Sequence, residues 1–291
     1  MAVDRIRKPD WLKIRLGGND RFFHTKQIVE SHGLHTICTS GKCPNLGDCW
    51  SRGIATFMIG GDICTRSCRF CNTLTGRPFP LDPTEPARVA ESIRLMSLHY
   101  AVVTSVDRDD LPDLGAQHWV DTIRAIKNVN SETRIEVLIP DFQGKIDLID
   151  CIIEAKPDVI AHNLETVQRL TPQIRSAARY ELSLSVLALI AAKGVCTKTG
   201  IMVGLGETVA EVEELMDDAL QAGVSILTIG QYLQPTRKHI SVVEYITPEQ
   251  FEKYRDRALS KGFRNVESAP LVRSSYMKNR IDGKPDAGDR K

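Results

Sequence analysis

The 291-residue chain has almost no excess charge of either sign, with 38 Lys and Arg against 37 Asp and Glu. Without a basic field it lacks the long-range attraction that draws proteins to polyanions, so no nucleic-acid partner is expected. It has no apolar run near the ~18 residues that cross a bilayer. Its opening, MAVDRIRKPDWLKIRLGG, lacks the apolar stretch of roughly 7 to 15 residues found in secretory signals. No membrane is expected as a partner, and the expected location is the cytoplasm. Low-complexity segments and short repeats are also missing. With 42% hydrophobic and 26% charged residues, the composition excludes fibrous and disordered classes.

What the chain does have is an uneven distribution of cysteine. Of eight cysteines, all but Cys151 and Cys196 lie between Cys38 and Cys71. A disulfide framework suits small exported domains, which this chain does not resemble. Cys151 lies in an apolar helical pattern and Cys196 beside Val195 before a strand, so both read as small buried hydrophobes. No histidine shows ligand spacing such as H-E-x-x-H, and none is assigned as a ligand.

From about residue 54 onward, short β-branched runs alternate with helical patterns, which is the βα signature. The predicted strands are Ile54–Ile59, Ala101–Val106, Arg134–Ile139, Asp158–His162, Lys198–Val203 and Ser225–Ile229. Val89, Ile93 and Met96 recur at helical spacing, as do Val209, Val212, Leu215, Met216 and Ala219. Thr208 with Glu211, and Thr247 with Gln250 behind Pro248, have capping-box spacing. Parallel strands with crossover helices form a barrel or an open doubly wound sheet, and both place ligands at the C-terminal strand ends. The first ~35 residues show no βα unit and are expected to wrap the barrel or close its mouth, while Asn279–Lys291 reads as a disordered tail.

Cys64, Cys68 and Cys71 stand as C-x3-C-x2-C directly after a predicted strand. Three thiolates on one loop can hold a four-iron cluster and leave one iron free to bind a small molecule. Zinc is the competing reading, but it prefers four ligands and paired spacings. The spacing resembles the radical S-adenosylmethionine superfamily, in which the free iron chelates the amino and carboxylate groups of the methionine moiety. That resemblance places Phe70 against the adenine. Gly200-Ile-Met-Val-Gly204-Leu-Gly206-Glu207 resembles the superfamily's G-x-I-x-G-x-x-E pattern, where backbone approaches the adenine, although a strand-to-helix turn reads the same way. Asn163 and Glu165 stand where related enzymes contact the ribose; a capped helix start is the alternative.

The second triplet, Cys38-Thr-Ser-Gly-Lys-Cys43-Pro-Asn-Leu-Gly-Asp-Cys49, reads C-x4-C-x5-C. With the C-x3-C-x2-C that follows, it resembles the lipoyl synthase family, as do Ser105-Val-Asp-Arg108-Asp109-Asp110-Leu111-Pro112, Glu136-Val-Leu-Ile-Pro140-Asp141, Gly230-Gln-Tyr-Leu-Gln-Pro235 and Arg273-Ser-Ser-Tyr276. The resemblance runs from about residue 10 to 276. It departs after Tyr276, where Met277-Lys278 replaces the usual His-Ala.

The resemblance implies a partial (β/α)6 TIM-like barrel over residues 51–265, an N-terminal extension over 1–50 carrying the first triplet, and a C-terminal segment over 266–291. The two extensions are expected to close the barrel mouth. It implies two 4Fe-4S clusters and S-adenosylmethionine as cofactors, the auxiliary cluster being held by Cys38, Cys43, Cys49 and Ser275, or alternatively Ser274. The implied activity is that of a sulfurtransferase placing two sulfur atoms, drawn from the auxiliary cluster, at carbons 6 and 8 of a lysine-bound octanoyl group. The implied partners are octanoylated carrier domains, of 2-oxoacid dehydrogenase acyltransferases or the glycine cleavage H protein, and a low-potential electron donor such as ferredoxin or flavodoxin. Lys198 is placed to pair with the carboxylate of the methionine moiety, a solvated lysine being the alternative. Arg273 and Tyr276 stand at the mouth without a catalytic role, and no side chain is assigned as catalytic because the radical arises on the cluster.

Overall fold

The computed structural model describes residues 7–13, 18–175 and 177–275. Among the described residues the strands are β1 (His35–Thr36), β2 (Thr56–Ile59), β3 (Ile63–Cys64), β4 (Leu74–Thr75), β5 (Tyr100–Ser105), β6 (Arg134–Leu138), β7 (Val159–Ala161), β8 (Cys196–Val203), β9 (Ile226–Gln231) and β10 (Asn265–Ala269). The helices are α1 (Asp20–Ser31), α2 (Ile37–Ser40), α3 (Leu46–Ser51), α4 (Glu85–Leu95), α5 (Ala116–Val129), α6 (Ile146–Glu154), α7 (Thr171–Ile174), α8 (Tyr180–Ala192), α9 (Val209–Gln221) and α10 (Pro248–Lys261).

One sheet runs β1-β2-β5-β6-β7-β8-β9-β10, and β3 pairs with β4 apart from it. β1 is antiparallel to β2; every other neighbouring pair is parallel. All six predicted strands form, and β10 adds a seventh parallel strand that the expected (β/α)6 count did not include. β1 and β10 stay at the two edges, so the barrel is open. Crossover helices cover the outside, and β2 and β9 are buried along their whole length, as befits parallel strands covered on both faces.

Two apolar clusters glue helices to the sheet. One joins Val89 and Ile93 of α4 and Ile123 and Ile126 of α5 to Val103 and Val137. The other joins Val212, Leu215 and Met216 of α9 and Phe251 of α10 to Val203 and Leu227. Val209 leaves its predicted stripe: as the first residue of α9 it is 48% exposed. Ile28 and Trp50 share the first cluster with Phe57, so the segment before residue 51 packs in the barrel's own core. No described helix is long and apolar enough to cross a membrane.

Thr208 caps α9 with both arms of the capping box formed. Thr208→Ala is expected to lower stability by about 1 kcal/mol, read as an earlier urea midpoint. At α10 Thr247 accepts a hydrogen bond from the Gln250 amide at 3.3 Å, and Pro248 opens the helix.

The barrel interior holds a buried ion pair. Lys198 Nζ donates to Glu136 Oε1 at 2.7 Å, and Tyr100 Oη donates to Glu136 Oε2 at 2.6 Å. Glu136 and Lys198 come from β6 and β8, alternate strands of the kind that share one layer of a barrel. Lys198 is therefore neither solvated nor free to meet a ligand's carboxylate, because Glu136 already neutralises it below the cavity floor. Cys151 also departs from expectation: Ile149 and Ile152 face the sheet, while Cys151 is turned outward and exposed.

Candidate active site

A cavity of about 450 Å³ opens at the C-terminal ends of the parallel strands. Met58, Thr104, Leu138, Gly200, Met202, Thr228 and Gly230 line it from the strands, and five triplet cysteines, Cys38, Cys43, Cys64, Cys68 and Cys71, line it from the loops. Ser274 and Ser275 line it from the C-terminal segment. Tyr276 and everything after it lie outside the described residues.

The first triplet is laid out on two short helical turns. Thr36 Oγ1 caps α2 by accepting from the Thr39 amide at 3.2 Å, and the Cys43 amide donates back to the Cys38 carbonyl at 3.0 Å. Gly41 turns the chain between them; a Cβ there would stand 2.7 Å from the Ile37 carbonyl oxygen. Cys49 lies in α3 and is not part of the cavity wall; burial raises its thiol, and Cys38 and Cys43 are near enough to add to that rise. Asn45, one residue beyond Cys43-Pro44, donates through Nδ2 to the Leu271 carbonyl at 2.6 Å. That bond ties the first triplet to the segment carrying Ser274 and Ser275, 226 positions away. Gly230 makes room for the same segment, since a Cβ there would collide with the Val272 carbonyl oxygen.

The second triplet follows β3. The Arg66 and Asp107 amides both point at Cys64 Sγ, at 3.4 and 3.3 Å, and the Cys71 amide donates to the Cys68 carbonyl at 3.1 Å. His239 Nε2 donates to the Cys71 carbonyl at 2.9 Å, which holds the loop after β9 over this triplet. Burial pushes the Cys49, Cys64 and Cys68 thiols up to about 12, and Cys38 and Cys71 are raised by the same cause. All eight cysteines are free. Among the described residues no three His, Cys, Asp or Glu side chains are grouped to hold a single metal ion. Desolvated thiols ionise when cations take the place of their protons, so the donor chemistry, three thiols to a triplet, fits a multi-iron cluster.

Arg66, between Cys64 and Cys68, is the main residue that sequence reasoning missed. Its guanidinium grips Asp109 at 2.7 and 2.9 Å and Asp141 at 2.8 and 2.8 Å, with Asp107 at 3.3 Å. D-R-D-D and P-D stand out in the sequence as family motifs without a stated role. The signal for that role is an arginine inside the cysteine loop facing acids that immediately follow two strands. Burial alone would raise Asp141, but its bonds to Arg66 outweigh that and hold the carboxyl at about 2. A depressed carboxyl stabilises the fold above its unfolded value near 4 and ceases to do so as pH falls through its folded value. The apo chain is therefore expected to lose about 2 kcal/mol between roughly pH 4 and pH 2, a loss missing from an Asp141→Asn variant in acid-unfolding curves.

Phe70, Asn163 and Glu165 also line the cavity. His162–Thr166 does not start a helix: Glu165 adopts φ 65° and bridges to Ile201 of β8. Asn163 Nδ2 donates to Glu165 Oε1 at 3.0 Å, while its buried Oδ1 has no partner. That unfilled acceptor in the wall suits a hydroxyl or ammonium donor. Gly200 keeps the wall open there, because a Cβ would come within 3.0 Å of Asn163 Oδ1.

Gly204, Gly206 and Glu207 are not in the cavity wall. Glu207 accepts from the Gly204 amide at 2.5 Å and the Leu205 amide at 2.9 Å, and both glycines have positive φ, 95° and 104°. The carboxylate staples a turn just beyond the wall residues Gly200, Ile201 and Met202. At the mouth, Arg273 Nη1 donates to the carbonyls of Val272 at 2.6 Å and Gln231 at 3.3 Å, which pins the C-terminal segment to the end of β9.

The match to known proteins agrees with this geometry. Residues 58–219 match the radical SAM superfamily model. The chain is 74% identical to a lipoyl synthase of Parabacteroides distasonis over 94% of this chain and 98% of the relative. It is 69% identical to one of Porphyromonas gingivalis over 96% and 99%, and 57% identical to one of Treponema denticola over 93% of each. Among solved structures, methylornithine synthase superposes with a TM-score of 0.56 at 13% identity, covering 76% of this chain and 73% of that one. SuiB of Streptococcus suis bound to S-adenosylmethionine superposes at 0.60 and 11%, covering 78% and 55%. At such identities these two speak for the fold alone. By near-full-length identity to its relatives, the chain belongs to the lipoyl synthase family of radical SAM enzymes.

Proposed function

We propose that the chain inserts two sulfur atoms at carbons 6 and 8 of an octanoyl group held as an amide on a lysine of a carrier domain. The observation that carries this reading is that five cysteines of two differently spaced triplets line one cavity, whose wall also offers Asn163 and Glu165. Cys64, Cys68 and Cys71 hold the cluster that binds S-adenosylmethionine. Cys38, Cys43, Cys49 and Ser275 hold the auxiliary cluster. Ser275 is preferred to Ser274 because Ser274 Cβ is turned onto β8, 3.4 Å from where a Gly200 Cβ would stand. When bound, the first cluster supplies the electron that cleaves S-adenosylmethionine to methionine and a 5′-deoxyadenosyl radical, and the second supplies sulfur.

The acceptor carbons are unactivated, and no side-chain base can be tuned far enough to deprotonate them. The work left to this chain's residues is binding, orientation and exclusion of water. Asn163 Oδ1 accepts from a ribose hydroxyl, Phe70 lies against the adenine, and Met58, Val106, Leu138 and Ile139 offer an apolar wall to the alkyl chain. Gly204, Gly206 and Glu207 act from outside the wall by fixing the turn that ends β8. The partners are octanoylated domains of 2-oxoacid dehydrogenase acyltransferases or the glycine cleavage H protein, with ferredoxin or flavodoxin as donor, in the cytoplasm.

The test is anaerobic reconstitution, then incubation with an octanoylated carrier domain, S-adenosylmethionine and a strong reductant, with the carrier's mass as readout. Lipoyl product is the expected result. Untouched octanoyl despite deoxyadenosine release would favour sulfur insertion into a free small molecule, as in biotin synthase. A colourless chain holding zinc and no iron would sink both.

A further inference from the structure

We propose that the strap from Leu74 to Pro80, beside the cavity mouth, is the docking surface for a folded acidic carrier domain. Leu74 and Phe79 are its apolar anchors and Lys8, Lys42 and Arg77 its charge partners. The inference rests on the sulfur-insertion reading above and deepens it. Leu74 is 61% exposed and Phe79 75%, and Phe79 stands between Pro78 and Pro80. Scattered exposed hydrophobics are ordinary, but these two share one strap that runs on from the site. Thr73 and Thr75 line the cavity, while Leu74 between them does not.

The strap is held still. β4 pairs in parallel with β3, whose last residue is Cys64. The Gly76 amide donates to the Cys64 carbonyl at 3.0 Å, and Thr75 Oγ1 donates to the Arg66 carbonyl at 3.2 Å. A body resting on Leu74 therefore meets an edge fixed to the cysteine loop, with Phe79 restrained between two prolines further along the strap, and restrained apolar anchors lose little entropy on binding.

The charge of this edge selects the partner. Lys8 and Lys42 are exposed and line the mouth, and Arg77 is exposed on the strap; among the described residues none of the three has an ion-pair partner. Of the acids near the second triplet, Asp107, Asp109 and Asp141 all face Arg66 and Glu165 lies inside the cavity wall, while Asp62 shares a separate hollow with Phe79. The exposed charges that line the mouth, Lys8 and Lys42, are both positive, and with Arg77 they favour an acidic surface. A free acyl compound would enter the cavity and leave the strap uncovered. An acyl group tethered to a carrier lysine must be threaded inward while the carrier's body stays outside, against this edge.

The experiment compares wild type with Leu74→Ser/Phe79→Ser and Arg77→Glu, each as the full chain with clusters reconstituted. Two acceptors are used, an octanoylated carrier domain and a short octanoyl-lysine peptide. Carrier affinity is read separately by calorimetry at low and high salt. The double variant is expected to raise the carrier's Kd and KM by about tenfold or more, and Arg77→Glu to flatten the salt dependence. Peptide turnover should stay unchanged in both. Unchanged carrier affinity overturns the proposal, and so does an equal loss with both acceptors, which would make the strap a support for the cluster loop. Wild-type enzyme that converts neither acceptor sinks the sulfur-insertion reading instead, and calorimetry still decides the docking surface.

Discussion

A Cys43→Ala enzyme is expected to keep releasing 5′-deoxyadenosine from S-adenosylmethionine while its lipoyl product falls below detection. Cys43 belongs to the triplet tied by Asn45 to the C-terminal segment, and it has no part in the β3 loop. Removing it takes away one of four ligands of the auxiliary cluster and leaves Cys64, Cys68 and Cys71 in place. Cys68→Ala is expected to do the opposite and abolish cleavage, and with it every later step. Chromatography of deoxyadenosine alongside mass analysis of the carrier separates the two outcomes. Lipoyl product from both variants would rule out the division of labour.

Arg66→Ala is expected to lower stability by roughly 3 to 5 kcal/mol, measured by urea unfolding of the apo chain. The guanidinium is 7% exposed and Asp141 2%, so its loss strands carboxylates that burial has already desolvated. Because the arginine sits within the cysteine loop, the same variant is expected to retain less iron per chain after reconstitution and desalting. Arg66→Lys keeps the charge but replaces a planar fork, which meets two carboxylates at once, with a point donor. It should recover part of the stability and less of the iron. Iron retention equal to wild type in both variants would reduce the clasp to a stabilising ion pair.

The six central strands were legible because each is a run of β-branched or apolar residues, and parallel strands buried on both faces need such runs. β10 was not legible because Asn265-Val-Glu-Ser-Ala269 has one large apolar residue and lies at a sheet edge, with a strand neighbour on one side only. The two triplets were legible as spacing and the serine pair through the family resemblance, and the fold brings all of these but Cys49 to one cavity. Lys198 was misread because a strand's sequence does not reveal its neighbours: Glu136 reaches it across the barrel from β6. At Glu207 the strand-to-helix turn that the sequence offered as an alternative forms, stapled by two bonds from backbone amides. The Arg66 clasp joins positions 43 and 75 residues apart, and such pairings come from the fold. Cys151 shows how one helical position decides burial, since its neighbours Ile149 and Ile152 are buried and it is not.

Isotope tracing tests the central claim most directly, namely that the Cys38, Cys43 and Cys49 cluster is spent as the sulfur source. The chain is reconstituted with heavy-isotope sulfide, desalted, and given octanoylated carrier, S-adenosylmethionine and a sulfur-free strong reductant, with no added sulfide. Heavy sulfur at both positions of the lipoyl product, with turnover stopping after about one product per chain, is the expected result. Light sulfur in the product, or continued turnover without loss of sulfide from the protein, would contradict it.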